Sequence, residues 1–577
     1  MMIVLLSLVT ISAKALDVVL PTDFFGYDIN VNNNPEEGYF YTVASIFNSH
    51  TRIGTTWAVI MDNDGNIKWF RRGNSGCFPY PDLGLAAFAD RRGQRDRFII
   101  MDMTYTFIDT IRPANGYLLD THDLLLFEDG TSWIMAQDIR VIDMSELVDG
   151  GNPEAEIVGF AIQELDSEGD VTWEYLTLDH QDDLPITDAD TSSRLVSFSA
   201  DRIDYLHYNA IELDLDGNVL LSARHFNEIH KIDYETQELL WRWGGGAGNM
   251  FDFVEDLNRE DSAFYFQHDI RVLENGNYRL FDNGNTRSMP RTFIKEYALD
   301  EEAMTATLVW SYSQDPVSHS DHGGGAFPTS GGNMAIAWGG GRSTDLCASE
   351  LTPDGVTTWE LTFYNAFGEA EYSLCYRFHK VDMIGVAATP FLIEVIDENN
   401  VTLFCNWFGH EDDVVSYNIY IDENPNPVVL HGNTDTGVYE VNDLSAETDY
   451  YFRVKAVNGD GIEISQYSNE IIIRLDEAGI IGQGESLILN DFNLEQNYPN
   501  PFNQTTVIRV NMPTEDFLKL QIYDILGREV AMLHNNRLGA GRHNFSFTGS
   551  GYSSGIYFVK AYLPNGSTQV RKIIMMR

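Results

Sequence analysis

A chain of 577 residues is too long for one hydrophobic core, so two to four domains are expected. Its hydrophobic content of 44% and aromatic content of 12% are typical of a folded protein rather than a disordered one. The formal net charge of −50 argues against nucleic acid or an anionic membrane as a partner, because both attract a positive surface.

The chain begins with an apolar run that ends at Ala13-Lys14-Ala15. This small-x-small pattern is typical of a signal peptidase site, and the run is too short to span a bilayer. We therefore predict a signal peptide over residues 1–15, with a buried N-terminal strand as the alternative.

The four cysteines are widely spaced and include no CxxC pair, so neither a zinc site nor a disulfide framework is expected. Four buried thiols are favoured, and a bridge between Cys347 and Cys375 is the alternative.

Residues 38–386 contain a repeated hairpin pattern. Each unit reads as a strand, a tight turn ending in glycine and a second strand, and a tryptophan often follows. Repeats of this kind at about 40–60 residues, without helical periodicity, indicate a β-propeller, and the length suits six blades. The turn glycines are Gly65, Gly130, Gly169, Gly217, Gly276, Gly332 and Gly355, and the tryptophans are Trp69, Trp173, Trp241, Trp310 and Trp359.

The position eight residues before a turn glycine carries the candidate site. It is occupied by Trp57, His122, Asn209, His268 and Gly324. Because the innermost strand of each propeller blade starts near the central channel, these positions are expected to converge. His207 and His322 lie two residues earlier in their units, and period-two alternation is expected to place them on the same face. Antiparallel pairing is expected to bring Arg224 back beside His207, which supplies a fixed cation.

Several histidines in one pocket are also compatible with a metal, which is the less favoured alternative. No HxH or HExxH spacing occurs, and no carboxylate is clearly in register with the histidines. The Gly-Gly-Gly runs at residues 244–246 and 323–325 are not followed by the lysine of a phosphate loop. We therefore predict neither a metal nor a cofactor.

Residues 389–475 carry strands around Cys405-Asn406-Trp407 and further strands downstream. The order of a tryptophan, Leu444 and Tyr450 resembles a fibronectin type III domain, with Leu444 to Tyr450 at the position of that family's tyrosine corner. Modules of this family are usually spacers or adhesive surfaces. Residues 476–490 are aperiodic and contain glycines, so we predict a linker there.

Residues 491–577 contain nine basic and six acidic residues, which contrasts with the acidic remainder. Their short strands predict a small β-sandwich. The segments Asn497–Asn503, Ile522–Gly527 and Gly555–Tyr557 closely resemble the type A C-terminal sorting domain of the type IX secretion system. The resemblance implies that this machinery exports the protein to the cell surface or into the medium and that this domain is then removed. The alternative is that the domain is a plain β-sandwich binding module. The fold class predicted for the whole chain is all-β, a six-bladed β-propeller followed by two small β-sandwich domains.

The propeller region resembles the arylsulfotransferase family in the segments THDLLLFEDG, HYNAIELDLDGNVLLSARHFNEIHKID, LLWRWGGG and FQHDIRVLENGNYRLFDNGN. That family transfers a sulfuryl group from a phenolic sulfate ester to a phenol through a sulfohistidine, without a nucleotide sulfate. The resemblance implies that His268 is the nucleophile, that His122 and His207 are acid-base and oxygen-binding groups, and that Asn209 and Arg224 hold sulfate oxygens.

A phenolic sulfate donor and a phenolic acceptor are the small-molecule partners implied, and no oligomeric state is predicted. The alternative is a non-catalytic propeller that binds a ligand or partner at the cell surface. Convergence of the five residues on one small anion would favour the enzyme.

Overall fold

The computed structural model describes most of residues 16–575, so the predicted signal peptide lies outside the described residues. Within that range the description omits residues 48–53, 73, 91–96, 255–262, 289, 315–318, 342–345, 365–371, 383, 398–399, 442–443, 446–447, 477–478, 487–492, 495–501, 503–504, 513–515, 526–527, 539–540, 550 and 564–567. The described residues form 43 strands, numbered β1 to β43 in chain order, and contain no α-helix. Short 3-10 turns occur at Pro81–Leu83, Met144–Glu146, Thr177–Asp179, Ile186–Asp188, Arg224–Phe226 and Glu411–Asp413.

The residues Asp23–Gly385 form one compact unit of six β-sheets, and this unit is a six-bladed β-propeller. From the innermost strand outwards, blade 1 contains β28 (Tyr372–Val381), β2 (Tyr39–Phe47), β3 (Gly54–Asp62) and β4 (Ile67–Arg72), with the short β25 (Gly339–Gly341) on the inner side of β28. Blade 2 contains β5 (Asn74–Tyr80), β6 (Leu85–Asp90), β7 (Arg97–Asp102) and β8 (Phe107–Ile111). Blade 3 contains β9 (Leu118–Leu126), β10 (Ser132–Ile142), β11 (Ala155–Leu165) and β12 (Val171–Leu176), with β13 (Arg202–Asp204) parallel to β11.

The second half of the propeller repeats this arrangement. Blade 4 contains β14 (Tyr208–Leu213), β15 (Val219–Ala223), β16 (Glu228–Ile232) and β17 (Leu239–Gly244). Blade 5 contains β19 (His268–Val272), β20 (Tyr278–Asp282), β21 (Phe293–Asp300) and β22 (Thr305–Tyr312), with β18 (Asp252–Val254) parallel to β22. Blade 6 contains β23 (Gly325–Pro328), β24 (Met334–Ala337), β26 (Ala348–Leu351) and β27 (Thr357–Tyr364), with β1 (Gly26–Asn32) on its outer edge.

Both ends of the propeller chain contribute to closing the ring. The last strand, β28, pairs antiparallel with β2 in blade 1, and the first strand, β1, pairs with β27 in blade 6. The six innermost strands contact one another in sequence around the axis. Strand β1 begins before residue 38, where the repeat pattern first became recognisable.

The turn glycines predicted from the sequence all have a positive φ, between 80° and 97°, which side chains other than glycine rarely adopt. The five repeat tryptophans all lie on the fourth strand of a blade. Blade 2 has neither signal, since its first turn is a Pro81–Leu83 3-10 turn.

The turn series contains two kinds of hairpin. Gly130, Gly217, Gly276 and Gly332 join the first and second strands of their blades, whereas Gly65, Gly169 and Gly355 join the third and fourth. The predicted equivalence of Trp57 with His122 is therefore wrong: Trp57 lies on β3, the third strand of blade 1, and is fully buried. Tight turns at both hairpins of a blade make the two positions look alike in sequence.

The fibronectin-like region consists of two sheets. One contains β29 (Phe391–Asp397), β30 (Asn400–Asn406) and β33 (Val438–Val441). The other contains β32 (Leu430–Thr434), β31 (Ser416–Asp422), β34 (Asp449–Val457), β35 (Glu470–Asp476) and β36 (Gly479–Ser486). The hydroxyl of Tyr450 accepts a hydrogen bond from the Ser445 amide at 3.2 Å, as in a tyrosine corner. Part of the predicted linker is a strand, because β36 pairs with β35.

The C-terminal region is a second sandwich with its own apolar core. One sheet contains β37 (Asn493–Leu494), β38 (Thr505–Met512) and β41 (Gly541–Thr548). The other contains β40 (Glu529–Leu538), β39 (Asp516–Asp524), β42 (Gly555–Tyr562) and β43 (Thr568–Met575). Of the motif Asn497–Asn503, only Phe502 falls within the described residues, and it is buried.

The four cysteines are all buried and none forms a disulfide, in agreement with the favoured prediction. In the part of the chain that the structure describes, no helix has the length and apolar character needed to cross a membrane.

Candidate active site

The innermost strands of blades 3, 4 and 5 each contain a β-bulge at the same end. The bulges fall at residues 121–123 on β9, 209–210 on β14 and 269–270 on β19. A bulge puts an extra residue into one strand and redirects its side chains, and such irregularities are frequent next to active sites. The bulged ends carry His122, Asn209 and His268, which places these residues near the propeller axis.

His268 is almost completely buried, and its hydrogen bonds fix its tautomer. The side-chain amide of Asn283 donates to the carbonyls of Ser320 and Gly323, so its oxygen must face His268. The Nδ1–H of His268 donates to that oxygen at 2.8 Å, and the amide of Gly323 donates to Nε2 at 3.2 Å. His268 is therefore a neutral imidazole whose Nε2 carries the lone pair.

Burial lowers the pKa of His268 well below its usual value, and the nearby positive charge of Arg224 lowers it further. His207 and His122 contribute in the same direction, so all three residues lie within electrostatic range of His268. The ring of His122 is 5.0 Å from that of His207, measured between centroids. We call His122, His207 and His268 the histidine cluster.

His122 and His207 each pair with a carboxylate. The Nδ1 atoms of His122 and His207 are 2.5 Å from carboxylate oxygens of Asp120 and Asp204. Both imidazoles retain about a fifth of their side-chain surface exposed, at 23% and 20%. Burial acts to raise the pKa of Asp204, but the interactions with His207, His225 and His122 together outweigh burial and lower it to about 2. In each pair the carboxylate therefore occupies Nδ1 of the imidazole, and Nε2 is the nitrogen that can exchange a proton with a substrate.

Arg224 is held next to the histidine cluster by backbone and side-chain hydrogen bonds. It follows β15, and its amide donates to the carbonyl of His207 at 3.4 Å. One guanidinium nitrogen donates to Nε2 of His225 at 2.8 Å, and the other donates to the Asp321 carbonyl at 3.0 Å. Because neither partner is anionic, the positive charge of Arg224 is not neutralised by these bonds. Its Nε is buried and has no partner among the described residues.

His225 serves as a neutral support for Arg224. Its Nδ1–H donates to the Asp204 carbonyl at 2.6 Å, which leaves Nε2 as the acceptor for the guanidinium. Burial, followed by the effect of His207, lowers the pKa of His225 to about 3. Burial also lowers the pKa of Arg224, to about 10, so the guanidinium stays protonated at neutral pH.

Asn209 is fully buried and bonds to backbone rather than to the histidine cluster. Its Nδ2 donates to the carbonyl of Gln267, the residue before His268, at 2.7 Å. Its Oδ1 is buried without a partner in the described part of the chain. His207 has a φ of 49°, and the bulge in β14 follows it, so the alternation expected between His207 and Asn209 is broken. The two side chains have different surroundings.

His322 lies at the margin of the site. Its side chain is 37% exposed and its Nδ1 is 2.6 Å from the Asp321 carboxylate. The backbone around it makes the closer contacts, because the Asp321 carbonyl meets Arg224 and the Gly323 amide meets His268.

A buried ion-pair network underlies the histidine cluster. Asp123 and Asp269, each next to a site histidine, lie 2.9 Å from Arg271. Arg377, on β28, is paired with Asp269 and donates to the Asn209 carbonyl at 3.2 Å. The two aspartates point towards neighbouring blades: Asp123 accepts from the Ile211 amide and Asp269 from the Ala326 amide. The network ties blades 1, 3, 4, 5 and 6 together below the site.

A metal is disfavoured at the one group of possible ligands found among the described residues. Ligand atoms of Asp204, His207 and His225 lie within 4.8 Å of one another. The guanidinium of Arg224 contacts Nε2 of His225, so a fixed positive charge already lies against the group.

Sequence reasoning missed the supporting residues. These are Asp120, Asp204, Asn283 and Tyr376, together with His225. Asp120 lies two residues before His122 and Asp204 three before His207, and this proximity is the only sequence signal for them. Asn283 and Tyr376 reach the site from other strands or blades, so no local pattern indicates them.

Comparison with family models identifies the family of this chain. The model of the arylsulfotransferase (ASST) family matches residues 29–344, which is more than half of the chain and includes every predicted site residue. The chain therefore belongs to the arylsulfotransferase family. The fibronectin type III model matches residues 388–474, and the secretion system C-terminal sorting domain model matches residues 496–576. The sorting domain indicates secretion through the outer membrane to the cell surface or the extracellular space.

No curated protein matches the chain. Among solved structures, a protein of unknown function from Bacteroides caccae is similar at 11% identity and a TM-score of 0.37, over 60% of this chain and 100% of that one. A streptogramin B lyase is similar at 11% identity and a TM-score of 0.29, over 62% of this chain and 98% of that one. An inactive virginiamycin B lyase from Staphylococcus aureus, in complex with quinupristin, has 10% identity and a TM-score of 0.29, over 66% and 97% of the two chains.

Proposed function

We propose that the protein is a secreted aryl sulfotransferase that moves a sulfuryl group from a phenolic sulfate ester to a phenol through a sulfohistidine at His268. The observation that carries the proposal is the neutral, Nε2-unprotonated state of His268 near Arg224, whose guanidinium hydrogen-bonds to no carboxylate among the described residues. A nucleophile needs an unprotonated nitrogen, and the negative charge of a sulfate ester needs a cation. Both requirements are met within one buried site of a family member.

In the first half-reaction the Nε2 lone pair leaves its hydrogen bond with the Gly323 amide and attacks sulfur. The nitrogen–sulfur bond forms as the bond between sulfur and the phenolic oxygen breaks, and the phenolate takes a proton from the imidazolium form of His122 or His207. The Asp120 and Asp204 carboxylates stabilise the charged form of these rings, as the aspartate of a catalytic triad does. Arg224 stabilises the charge that spreads over the sulfuryl oxygens.

The second half-reaction reverses the roles. The acceptor phenol gives its proton to the same imidazole, its oxygen attacks sulfur, and the nitrogen–sulfur bond breaks. His268 returns to the neutral state and the acid-base imidazole regains its proton. No nucleotide is required, because the donor ester supplies the sulfuryl group.

The competing function is a propeller that binds a ligand without turning it over. Such a protein does not require a neutral buried nucleophile, two Asp–His pairs and a cation around one small volume. The proximity of His122, His207, Arg224 and His268 supports the transferase. Asn209 takes part through the backbone before His268.

The test is turnover of 4-nitrophenyl sulfate with phenol as acceptor, using the full-length protein. We expect His268→Ala to abolish release of nitrophenol and to retain the wild-type circular dichroism spectrum. Mixing the wild type with the donor alone should add one sulfuryl group to the peptide that contains His268, detected by mass spectrometry.

His410→Ala provides a matched control, because His410 lies in the fibronectin-like region. It should retain wild-type turnover and labelling. Full activity of His268→Ala would refute the sulfohistidine. A wild type that binds aryl sulfates without turning any of them over would favour the ligand-binding propeller.

A further inference from the structure

Tyr376 comes from the strand that closes the propeller and lies between two members of the histidine cluster. It is on β28 in blade 1, whereas His122 and His268 come from blades 3 and 5. The centroid of its ring is 5.5 Å from that of His122 and 5.9 Å from that of His268. It lies beyond residue 344, where the match to the arylsulfotransferase family model ends.

The ring of Tyr376 is fixed from two sides. The guanidinium carbon of Arg377 is 5.3 Å from the ring centroid. Gly323 packs so closely that a Cβ there would be 2.9 Å from a ring carbon of Tyr376. The same Gly323 amide contacts His268, so the tyrosine and the proposed nucleophile are positioned by one loop.

The hydroxyl of Tyr376 is buried and has no hydrogen-bond partner among the described residues. Burying a hydroxyl without a partner is unfavourable, because the group loses its bonds to water and gains none. Here the hydroxyl lies within electrostatic range of Arg224 and Asp120. An unpartnered donor among reactive groups indicates that its partner is a ligand.

The hydroxyl of Tyr376 is in the protonated state that a hydrogen-bond donor needs. Burial raises the pKa of its hydroxyl far above the usual value, and the negative charges of Asp120, Asp123 and Asp269 act in the same direction. Arg377 opposes them without reversing the shift. The hydroxyl therefore keeps its proton at neutral pH and is suited to donate a hydrogen bond rather than to transfer the proton.

We propose that Tyr376 is a further catalytic residue, whose hydroxyl donates a hydrogen bond to a non-bridging oxygen of the sulfuryl group during transfer. This inference rests on the proposed function, because it needs a sulfuryl group at His268. The hydroxyl complements Arg224, which approaches the same group from blade 4. The negative charge on the sulfuryl oxygens is then shared by one cation and one neutral donor.

The experiment compares Tyr376→Phe with the wild type in single-turnover release of the phenol from two donors, 4-nitrophenyl sulfate and phenyl sulfate. We expect the rate to fall about a hundredfold with both donors, as when one donor to a developing oxyanion is removed. The loss should be equal because a bond to a non-bridging oxygen does not depend on the departing phenol. The melting temperature should stay the same or rise, because the lost hydroxyl has no partner among the described residues.

Tyr175→Phe is a matched control. Tyr175 also has a buried hydroxyl without a partner among the described residues, but it lies on β12 in the core of blade 3. This variant should keep the wild-type rate with both donors. An effect of Tyr376→Phe alone would therefore come from the site rather than from loss of a buried hydroxyl in general.

The outcomes separate this inference from the proposed function. An active wild type with an undiminished Tyr376→Phe variant overturns the role of Tyr376 only. A loss that is larger for phenyl sulfate places the hydroxyl on the departing oxygen and overturns the assignment to a non-bridging oxygen. An inactive wild type overturns the proposed function and this inference with it.

Discussion

At the scale of single residues, the site contains imidazoles of two kinds. His268 and His225 are buried and held neutral, with each Nδ1–H donated to an oxygen and each Nε2 left as an acceptor. His122 and His207 are partly exposed and paired with carboxylates. The first kind is suited to the roles of nucleophile, for His268, and of support for the Arg224 cation, for His225. The second kind is suited to proton transfer.

Asp120→Asn is expected to lower kcat by about a hundredfold, within the range attributed to general acid-base groups. An amide at this position no longer stabilises a protonated His122 and leaves its tautomer unspecified. The loss should be greater for phenyl sulfate than for 4-nitrophenyl sulfate, since the more basic phenolate depends more on protonation. Steady-state kinetics with the two donors measure this difference.

Asp413→Asn serves as the control for this substitution, because Asp413 pairs with His410 in the fibronectin-like region at 3.7 Å. It should leave kcat unchanged. An Asp120→Asn variant with equal losses for both donors would contradict a role for the pair in protonating the leaving group.

The buried His225 is expected to make stability fall as the pH is lowered. Its folded pKa is about 3, below the usual value of about 6.5, so between these values the unfolded chain binds a proton that the folded chain does not. This one group should remove about 1.4 kcal/mol of unfolding free energy for each pH unit below about 6.5. Urea unfolding of the wild type and His225→Gln at about pH 6 and pH 5 isolates the contribution, which the variant should lack. Identical pH dependence in the two proteins would contradict the assignment.

At the scale of elements, the hairpins are specified by their turns. Gly217 joins β14 to β15 with a φ of 85°, and a Cβ at this position would meet no atom within 4 Å. Any cost of a side chain there comes from the backbone conformation rather than from a clash. The same hairpin places His207 and Arg224 at its open end, so the turn sets the register of both residues.

Gly217→Ala is expected to lower the free energy of unfolding by about 1–2 kcal/mol, the cost of a left-handed conformation for an ordinary residue. Gly217→Asn should cost less, because asparagine adopts this conformation more readily. Urea unfolding of the three proteins measures the difference. If alanine and asparagine were equally tolerated, backbone strain would not be the cause.

At the scale of the whole molecule, the proposed chemistry belongs to the propeller alone. All residues of the site, and both strands that close the ring, lie within the compact unit Asp23–Gly385. The sorting domain has a separate core, as expected for a module that serves export.

A fragment of residues 23–385 is therefore expected to fold and to keep kcat/KM for 4-nitrophenyl sulfate within about threefold of the full chain. An independent core and a closed ring of blades provide the physical reason. Circular dichroism, gel filtration and turnover test it. A fragment that aggregates or loses activity would show that the later domains contribute to the propeller.

The sequence by itself determined the fold class, the turn glycines and most of the repeat, because turn chemistry and strand patterns are local properties. It also placed His122, Asn209 and His268 at one structural position, because each lies eight residues before the glycine of the turn that follows the innermost strand of its blade. Membership of the arylsulfotransferase family was likewise recognisable from motifs.

Only the tertiary structure decided which groups surround these residues. Bulges in the inner strands break the alternation expected for His207 and Asn209, and a bulge depends on pairing with the next strand rather than on the residue itself. Asn283 fixes the tautomer of His268. Tyr376 reaches the site across the channel from β28, about a hundred residues further along the chain than His268. Contacts of this length are formed by closure of the ring, and no local pattern records them.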